Sequence, residues 1–461
     1  MIKSVDPATE SVIAEFEPLG DGELDVRVLR AHTAASAWRG FPLEARTAVL
    51  VRAAEALSAK GDEHARLMTR EMGKTIRAAR EEVTKCARTL RYYAAHAPAF
   101  LADTVVSPDG RIAYQPLGVV LAVMPWNFPY WQVIRFAAPA LAAGNVVLLK
   151  HASNVPQCGL ELERLFREAG APDGAFQTLL VEVAAVSRII ADERVAAVTL
   201  TGSEAAGRAV ARTAGEHLKK CVLELGGSDP FIVLRDADVS AAAHTAATSR
   251  TINNGQSCIA AKRFIVERPV ASEFVAALTA AVRALRVGDP MDEATDVGPL
   301  ATPQIRDEVA SQVDRTVAAG ARVATGGAAR TGRGYYFEPT VLVDVPADSP
   351  AAVEEVFGPV APVFVVDDPE SALALANASR FGLGANVWTS SDGLAERFAR
   401  DLEAGSVFIN GMVASDPRFP FGGIKKSGYG RELSVEGMRE FMNIKTIRNG
   451  TANVADPARA E

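Results

Sequence analysis

The chain reads as an α/β protein in which a doubly wound parallel sheet is followed by a second α/β unit. Three observations predict this. Between residues 119 and 223, short apolar runs alternate with helix-length segments, the pattern of strands buried on both faces by crossover helices. After Glu224-Leu225-Gly226-Gly227 the cycle begins again and continues to about residue 410. A length of 461 residues is about three times that of a usual domain, so two or three packed units are expected.

Residues up to about 97 read as mostly helical, with apolar positions at helical spacing over 45–60 and 77–97 and Pro98 as the stop for the second helix. No chemistry is assigned to them. Ser107-Pro108-Asp109-Gly110 then reads as a turn and Arg111-Ile112-Ala113-Tyr114-Gln115 as a strand, compatible with a projecting hairpin or an edge strand. The runs 119–123, 146–149, 178–181, 196–199 and 222–223 are the strands of the first sheet, with helices such as 156–169 and 204–215 between them. Ligands of such sheets bind at the carboxyl ends of the strands. The second unit opens with Phe231-Ile232-Val233-Leu234, a helix from about Val239, and a strand Arg263-Phe264-Ile265-Val266-Glu267, and glycines over 318–334 mark surface loops. Residues 422–446 hold glycine-rich turns and a short helix over 435–442, leading into an extended Asn443-Ile444-Lys445-Thr446-Ile447; the polar last residues are expected to fray.

Composition narrows the function. Hydrophobic content of 48% and charged content of 23% belong to a globular protein with a large core. The net charge of −7 is spread without basic runs, which argues against nucleic acid and anionic membranes as partners and leaves small molecules or further copies of the chain. Four widely spaced cysteines (Cys86, Cys158, Cys221, Cys258) match neither a zinc site nor a disulfide framework, and the six histidines form no paired ligand spacing, so no metal is expected. With no signal-like start and no long apolar run, a reducing cytoplasmic setting is the expectation.

Several stretches at strand ends carry polar groups that core packing would not select. Gly255-Gln256-Ser257-Cys258 interrupts an alanine-rich segment with turn-prone residues and presents a thiol where a cleft can reach it. In Pro125-Trp126-Asn127-Phe128-Pro129, two prolines fix the backbone around one carboxamide, a donor that need not reorganise as negative charge develops. Gly202-Ser203-Glu204-Ala205-Ala206-Gly207 opens a helix whose free amides suit a phosphate, and Lys150 ends the strand 146–149, where its ammonium can reach a ribose or phosphate or simply stay solvated. Glu224 precedes two glycines, so its carboxylate can enter a cleft as a base, and Glu355 in Glu354-Glu355-Val356-Phe357-Gly358-Pro359 is open to the same reading. Each of these has a plain structural alternative: a packed thiol, a solvated turn, a capping glutamate.

Taken in this order, and with Pro420-Phe421-Gly422-Gly423, the motifs resemble the aldehyde dehydrogenase superfamily over nearly the whole chain. The resemblance implies a Rossmann-like cofactor domain (1–99 and 118–226), a catalytic domain (227–425) and a small β oligomerisation element (100–117 and 440–461) that builds a homodimer or homotetramer. It implies Cys258 as the nucleophile forming a thiohemiacetal and then a thioester, Asn127 with the Cys258 amide as oxyanion donors, and Glu224 as the base for water. Trp126, Lys150, Ser153, Gly202, Ser203, Gly207, Leu225, Glu355 and Phe357 would hold the cofactor. Many NAD-using relatives carry a glutamate three residues after the lysine, where this chain has Ser153; a neutral hydroxyl beside Lys150 tolerates a 2′-phosphate, so NADP is expected, with NAD the alternative.

For the aldehyde, Arg135 matches an arginine that pairs with the distal carboxylate in succinate-semialdehyde dehydrogenases, and the compact bacterial enzymes of that kind are the most similar. Such relatives often carry a second arginine six residues before the nucleophile. Here that position is Ile252, and Arg418 with Ser415 is the expected substitute. Cys258 has no nearby cysteine and hence no local disulfide switch. A broad medium-chain aldehyde dehydrogenase and a non-catalytic protein on the same fold are the other readings.

Overall fold

The computed structural model describes residues 1–450; the polar end expected to fray and the last part of the expected oligomerisation element, 451–461, lie outside the described residues. A six-stranded sheet runs, edge to edge, Gly428–Tyr429, Lys220–Glu224, Val195–Thr201, Val119–Met124, Val146–His151, Phe176–Thr178. All its pairings are parallel except the first, in which Gly428 faces Glu224. Its centre is buried almost without exception from Val119 to His151, as expected of strands covered on both faces. The strand order reverses beside Val119–Met124, with one neighbour leading in sequence to 146–178 and the other to 195–224. Crevices form at such a switch point, and the Asn127 loop and the Ser203 turn both leave the sheet there.

The seven-stranded second sheet is ordered Arg322–Thr325, Thr340–Val343, Val360–Val366, Ala261–Glu267, Asp229–Val233, Gly384–Trp388, Ser406–Ile409, and is parallel except at the first pair. Phe231, Phe264 and Trp388 stack through its middle, with Phe231 centroids 5.5 and 5.9 Å from the other two rings. The third sheet is a hairpin, one of the two readings open for this segment, Thr104–Ser107 with Gly110–Pro116, extended by Met442–Arg448 along the whole of the second strand. No described helix is long and apolar enough to cross a membrane.

Local chemistry explains the helices that matter. Thr75, Ser203 and Asp238 each accept a hydrogen bond from the third residue of the helix they begin, at Ile76–Leu101, Glu204–Glu216 and Val239–Thr251. Helix Ile76–Leu101 runs through Pro98 rather than stopping there. Pro98 lies in its last turn, where Tyr92 and Phe100 bracket a His96 ring stacked 4.1 Å from Tyr92, and Arg439 donates to the Phe100 carbonyl at 3.0 Å, so the end is held from outside. The amino-terminal segment also departs from expectation. Residues Ile2–Asp6 and Ser11–Phe16 pair as an antiparallel hairpin, and the carboxy-terminal helix is short, Ser434–Arg439, because Met442 already belongs to a strand.

Candidate active site

The segment carrying Cys258 is pinned from three sides. Asn253, Asn254 and Gly255 take left-handed conformations in succession (φ 54°, 58° and 78°), which asparagine and glycine tolerate best. The Asn254 amide donates to the carbonyls of Gly73 and Pro299 at 2.9 and 3.0 Å and its oxygen accepts from Gly298, while Asn253 donates to the Asn127 carbonyl at 2.7 Å. Gly255 is so close to Gly358 and Pro359 that any side chain would collide with their backbone. Beneath the turn, buried Lys262 donates to the carbonyls of Ser257 and Cys258 at 2.9 and 2.7 Å and pairs with Glu355 at 3.2 Å. The motif thus joins the Asn127 loop and the Glu355–Pro359 segment into one rigid unit.

Two cavities meet there. The larger, about 690 Å³, opens at the switch point and is lined by Trp126, Asn127, Gly202, Ser203, Leu225, Glu355 and Phe357 among others. The smaller, about 210 Å³, is lined by Lys85, Trp131, Arg135, Ile252, Ser415 and Phe421 among others. Cys258 and Gln132 are the two residues that line both. Gln132 is buried, its carbonyl oxygen without a partner in the described structure.

The helix Trp131–Ala143 carries Gln132 and Arg135 on one side, and its start is held by a buried carboxylate. Glu82 accepts from the amides of Tyr130 and Trp131 at 2.9 and 2.8 Å and pairs with Lys74, whose ammonium lies 4.2 Å from the Phe128 ring. A carboxylate satisfies the free amides of a helix start and complements its dipole. His151 clamps the same loop: its Nε2 donates to the Pro129 carbonyl at 2.8 Å and its Nδ1 accepts from the Ala152 amide. Burial draws the imidazole down to about 4, so it is neutral.

Electrostatics separate the candidate groups. Burial pushes the Cys258 thiol up to about 11, against the opposing pull of Arg135 and Lys262. Burial likewise raises Glu224 well above the ordinary carboxyl range, and its Oε1 has no hydrogen-bond partner among the described residues. Asn127 spends one of its two amide hydrogens on the Gln256 carbonyl at 3.1 Å, and the Cys258 backbone amide donates to no described group.

The expected site residues divide as follows. Trp126, Asn127, Gly202, Ser203, Leu225, Glu355, Phe357 and Cys258 come together on the large cavity, where the Trp126 and Phe357 rings meet edge-on at 5.8 Å. Glu224 lies just behind that wall under Gly422, and Gly207 is behind it too, packed so tightly on Leu225 that a side chain would collide. Lys150 is buried in register with Val123, and exposed Ser153 follows it; neither lines the cavity. Arg135 reaches the small cavity, but its guanidinium is paired with buried Glu432, donates to Thr201 Oγ at 3.4 Å and lies 4.6 Å from the Phe421 ring. Ser415 lines the same cavity, and so does Ile252, which brings no charge.

Arg418 requires a correction. It is exposed, bound to Asp416 at 2.7 Å and absent from both linings, because the turn Asp416-Pro417-Arg418-Phe419 points it at solvent and closes its charge locally. Beside Arg135, the small cavity presents the cation of Lys85, which sequence reasoning left among the scaffold helices. Its signal was available as a spacing: Lys85 follows Glu82 by three positions and so shares the helix face that meets the Trp131 helix. Among the described residues, no group of three or more His, Cys, Asp or Glu is arranged to hold a metal.

A doubly wound sheet with a cavity at its switch point, ending on a clamped thiol, is the architecture of an α/β protein that takes a ligand at its strand ends beside a cysteine. Residues 1–447 match the model of the aldehyde dehydrogenase family. A probable succinate-semialdehyde dehydrogenase [NADP(+)] of Synechocystis is 54% identical over 97% of this chain and 99% of its own length. Succinate-semialdehyde dehydrogenase [NADP(+)] 1 of Mycobacterium tuberculosis is 53% identical over 97% and 99%. The crystal structure of succinic semialdehyde dehydrogenase from Streptococcus pyogenes, solved with NADP+ as the cofactor, superposes with a TM-score of 0.95 at 39% identity over 97% of this chain and all of that one. The chain belongs to the aldehyde dehydrogenase family.

The large cavity suits the dinucleotide such enzymes use. The start of helix Glu204–Glu216 faces it with free amides, Gly226 lies where a side chain would strike the Glu355 carboxylate, and Gly207 lets the helix sit close on Leu225.

Proposed function

We propose that the protein oxidises succinate semialdehyde to succinate with NADP. The observation that carries this reading is the position of Cys258, shared between a nucleotide-sized cavity and a small cavity that presents a cationic side chain. The names of the relatives above support the substrate and the cofactor.

Bound at the large cavity, the cofactor supplies the hydride acceptor. Trp126, Leu225, Glu355 and Phe357 would hold its nicotinamide end and Gly202, Ser203 and the helix start its phosphates, while its adenosine ribose would extend past the cavity's lining to Lys150 and Ser153, where a serine leaves room for a 2′-phosphate. The Cys258 thiol gives its proton to water as Sγ adds to the aldehyde carbon, and the Asn127 amide and Cys258 N–H receive the oxyanion. Once the hydrogen on that carbon has left as hydride, the acyl group rests on Sγ as a thioester. Glu224, raised by burial, is a stronger base than a solvated carboxylate once ionised, and takes a proton from the water that hydrolyses the thioester. His151, Glu82 and Lys262 hold these parts in place.

The three-stranded sheet supports assembly into a homo-oligomer. Val105, Val106 and Ile444 are 76%, 67% and 64% exposed on it, apolar side chains that a partner copy would cover. Four unpaired cysteines suit a reducing cytoplasmic setting.

Steady-state kinetics over an aldehyde panel with each cofactor test the reading. Succinate semialdehyde with NADP is expected to give the highest kcat/KM, at least about tenfold above NAD or butanal, equal to about 1.4 kcal/mol of transition-state binding. Equal efficiency for butanal and succinate semialdehyde would replace it with a broad aldehyde dehydrogenase.

A further inference from the structure

We propose that Lys262 is a positioning residue that couples the cofactor cavity to the nucleophile: its buried ammonium fixes the Cys258 turn by its carbonyls and aims the Glu355 carboxylate at the cofactor, although it lines neither cavity. The inference rests on the reading of the large cavity as the NADP site and assigns a residue to the alignment of cofactor with thiol. Three observations carry it.

First, the donors of this ammonium are spent within the site. Lys262 Nζ lies 2.9 and 2.7 Å from the carbonyls of Ser257 and Cys258 and 3.2 Å from Glu355 Oε1, which accounts for its three hydrogens, with the Ala260 carbonyl further off at 3.4 Å. Two of these partners belong to the nucleophile turn and one to the cofactor cavity, so a single side chain spans both. Second, the ion pair is exclusive and buried from one side. Among the described residues, Glu355 is the only carboxylate within ion-pair distance of Lys262, and Lys262 the only cation within that distance of Glu355. The lysine side chain is 2% exposed and the glutamate 21%, so the cation is fixed from within while the carboxylate reaches the cavity. Lys262 and the Gly227 amide both hold Oε1, the amide at 3.0 Å, which leaves Oε2 beside Gly226 without a hydrogen bond among the described residues and ready for a ribose hydroxyl. Third, the backbone is shaped to deliver this contact. Lys262 is the residue left over where Ala261 pairs with Asp229 and Arg263 with Pro230, an irregularity that re-aims its side chain under the turn four residues earlier. Gly227 completes the fit, because a side chain there would strike the Cys258 carbonyl.

The same charge acts on the sulfur. Lys262 and Arg135 oppose the burial that pushes the Cys258 thiol up, while Glu355 and Asp229 add to it. Removing either member of the Lys262–Glu355 pair therefore moves the thiol in opposite directions: the thiolate is favoured without Glu355 and disfavoured without Lys262. A lysine that served only to fill space and satisfy carbonyls would act independently of Glu355.

The test titrates NADP into wild type, Lys262→Met, Lys262→Arg, Glu355→Gln and the Lys262→Met, Glu355→Gln double variant, and follows alkylation of Cys258 by iodoacetamide at pH 7 through mass analysis of its peptide. Lys262→Met and Glu355→Gln are each expected to raise the Kd for NADP roughly tenfold, as for a lost hydrogen bond to a charged group. The double variant is expected to bind no more weakly than the weaker single one, as for two groups acting as a unit, and Lys262→Arg to recover most of the affinity. Alkylation is expected to slow about threefold in Lys262→Met and to quicken by a similar factor in Glu355→Gln. Losses that multiply in the double variant, an unchanged Kd in Lys262→Met, or alkylation rates that do not move in opposite directions would overturn the inference and leave the NADP reading standing. Should Lys262→Met not fold, the Glu355→Gln arm decides alone, and alkylation no faster than in wild type counts against the coupling. A wild type that does not bind NADP would overturn the reading of the large cavity, and the role of Lys262 with it.

Discussion

Arg135 shows how one residue can be placed correctly along the chain while one of its partners stays hidden. Its position on an apolar helix after the Asn127 loop was readable, and the folded chain brings it to the small cavity that Cys258 also lines. Its pairing with Glu432 was not readable, because that carboxylate lies 297 positions away and meets Arg135 only in the folded chain. Arg135→Ala would leave Glu432 buried without a counterion, which costs about 3 kcal/mol or more. The expected outcome is lower stability in chemical denaturation, with KM raised more for succinate semialdehyde than for butanal. Equal losses on both aldehydes would remove Arg135 from carboxylate recognition. Cys258, Asn127, Glu355 and Phe357 were legible for the opposite reason, since each sits in a short motif whose neighbours fix its local backbone. Lys85 and Lys262 were not, because a lysine in a helix or strand looks the same in sequence whether it faces solvent or a cavity.

At the level of elements, buried parallel strands were the clearest signal, since apolar runs bounded by glycine, serine and charged residues recur with helices between them. The hairpin at 104–116 was readable from its turn, but its third strand, Met442–Arg448, depends on a pairing with residues over three hundred positions earlier. The amino-terminal hairpin was lost within a segment otherwise helical. Among the described residues, neither outer strand of the three-stranded sheet, Thr104–Ser107 and Met442–Arg448, has a further neighbour, and exposed apolar side chains lie on both. Such edges and patches are usually covered. Sedimentation velocity is expected to give a dimer or tetramer for wild type and a smaller species for a Val105→Asp, Ile444→Lys double variant. A wild type sedimenting as a single chain would remove this sheet as an assembly surface.

The whole molecule brings two separately built cavities to one sulfur. One is formed at the switch point of the first sheet; the other lies between the long helix Ile76–Leu101, the Trp131 helix and the loop around Ser415. The turn carrying Cys258 is held by Gly73 from the helical region, Asn127 from the first sheet and Gly358 from the second, so its shape depends on all three. The account therefore requires that the acyl group form on Cys258 only when both cavities are filled, and that its release depend on Glu224. The direct measurement is rapid mixing of Glu224→Gln with succinate semialdehyde and NADP, an acid quench, and peptide mass analysis. The result expected is one succinyl group on the peptide containing Cys258, accumulating with cofactor and aldehyde together and with neither alone. An acyl group on another residue, or a burst of NADPH with Cys258 unmodified, would contradict the account.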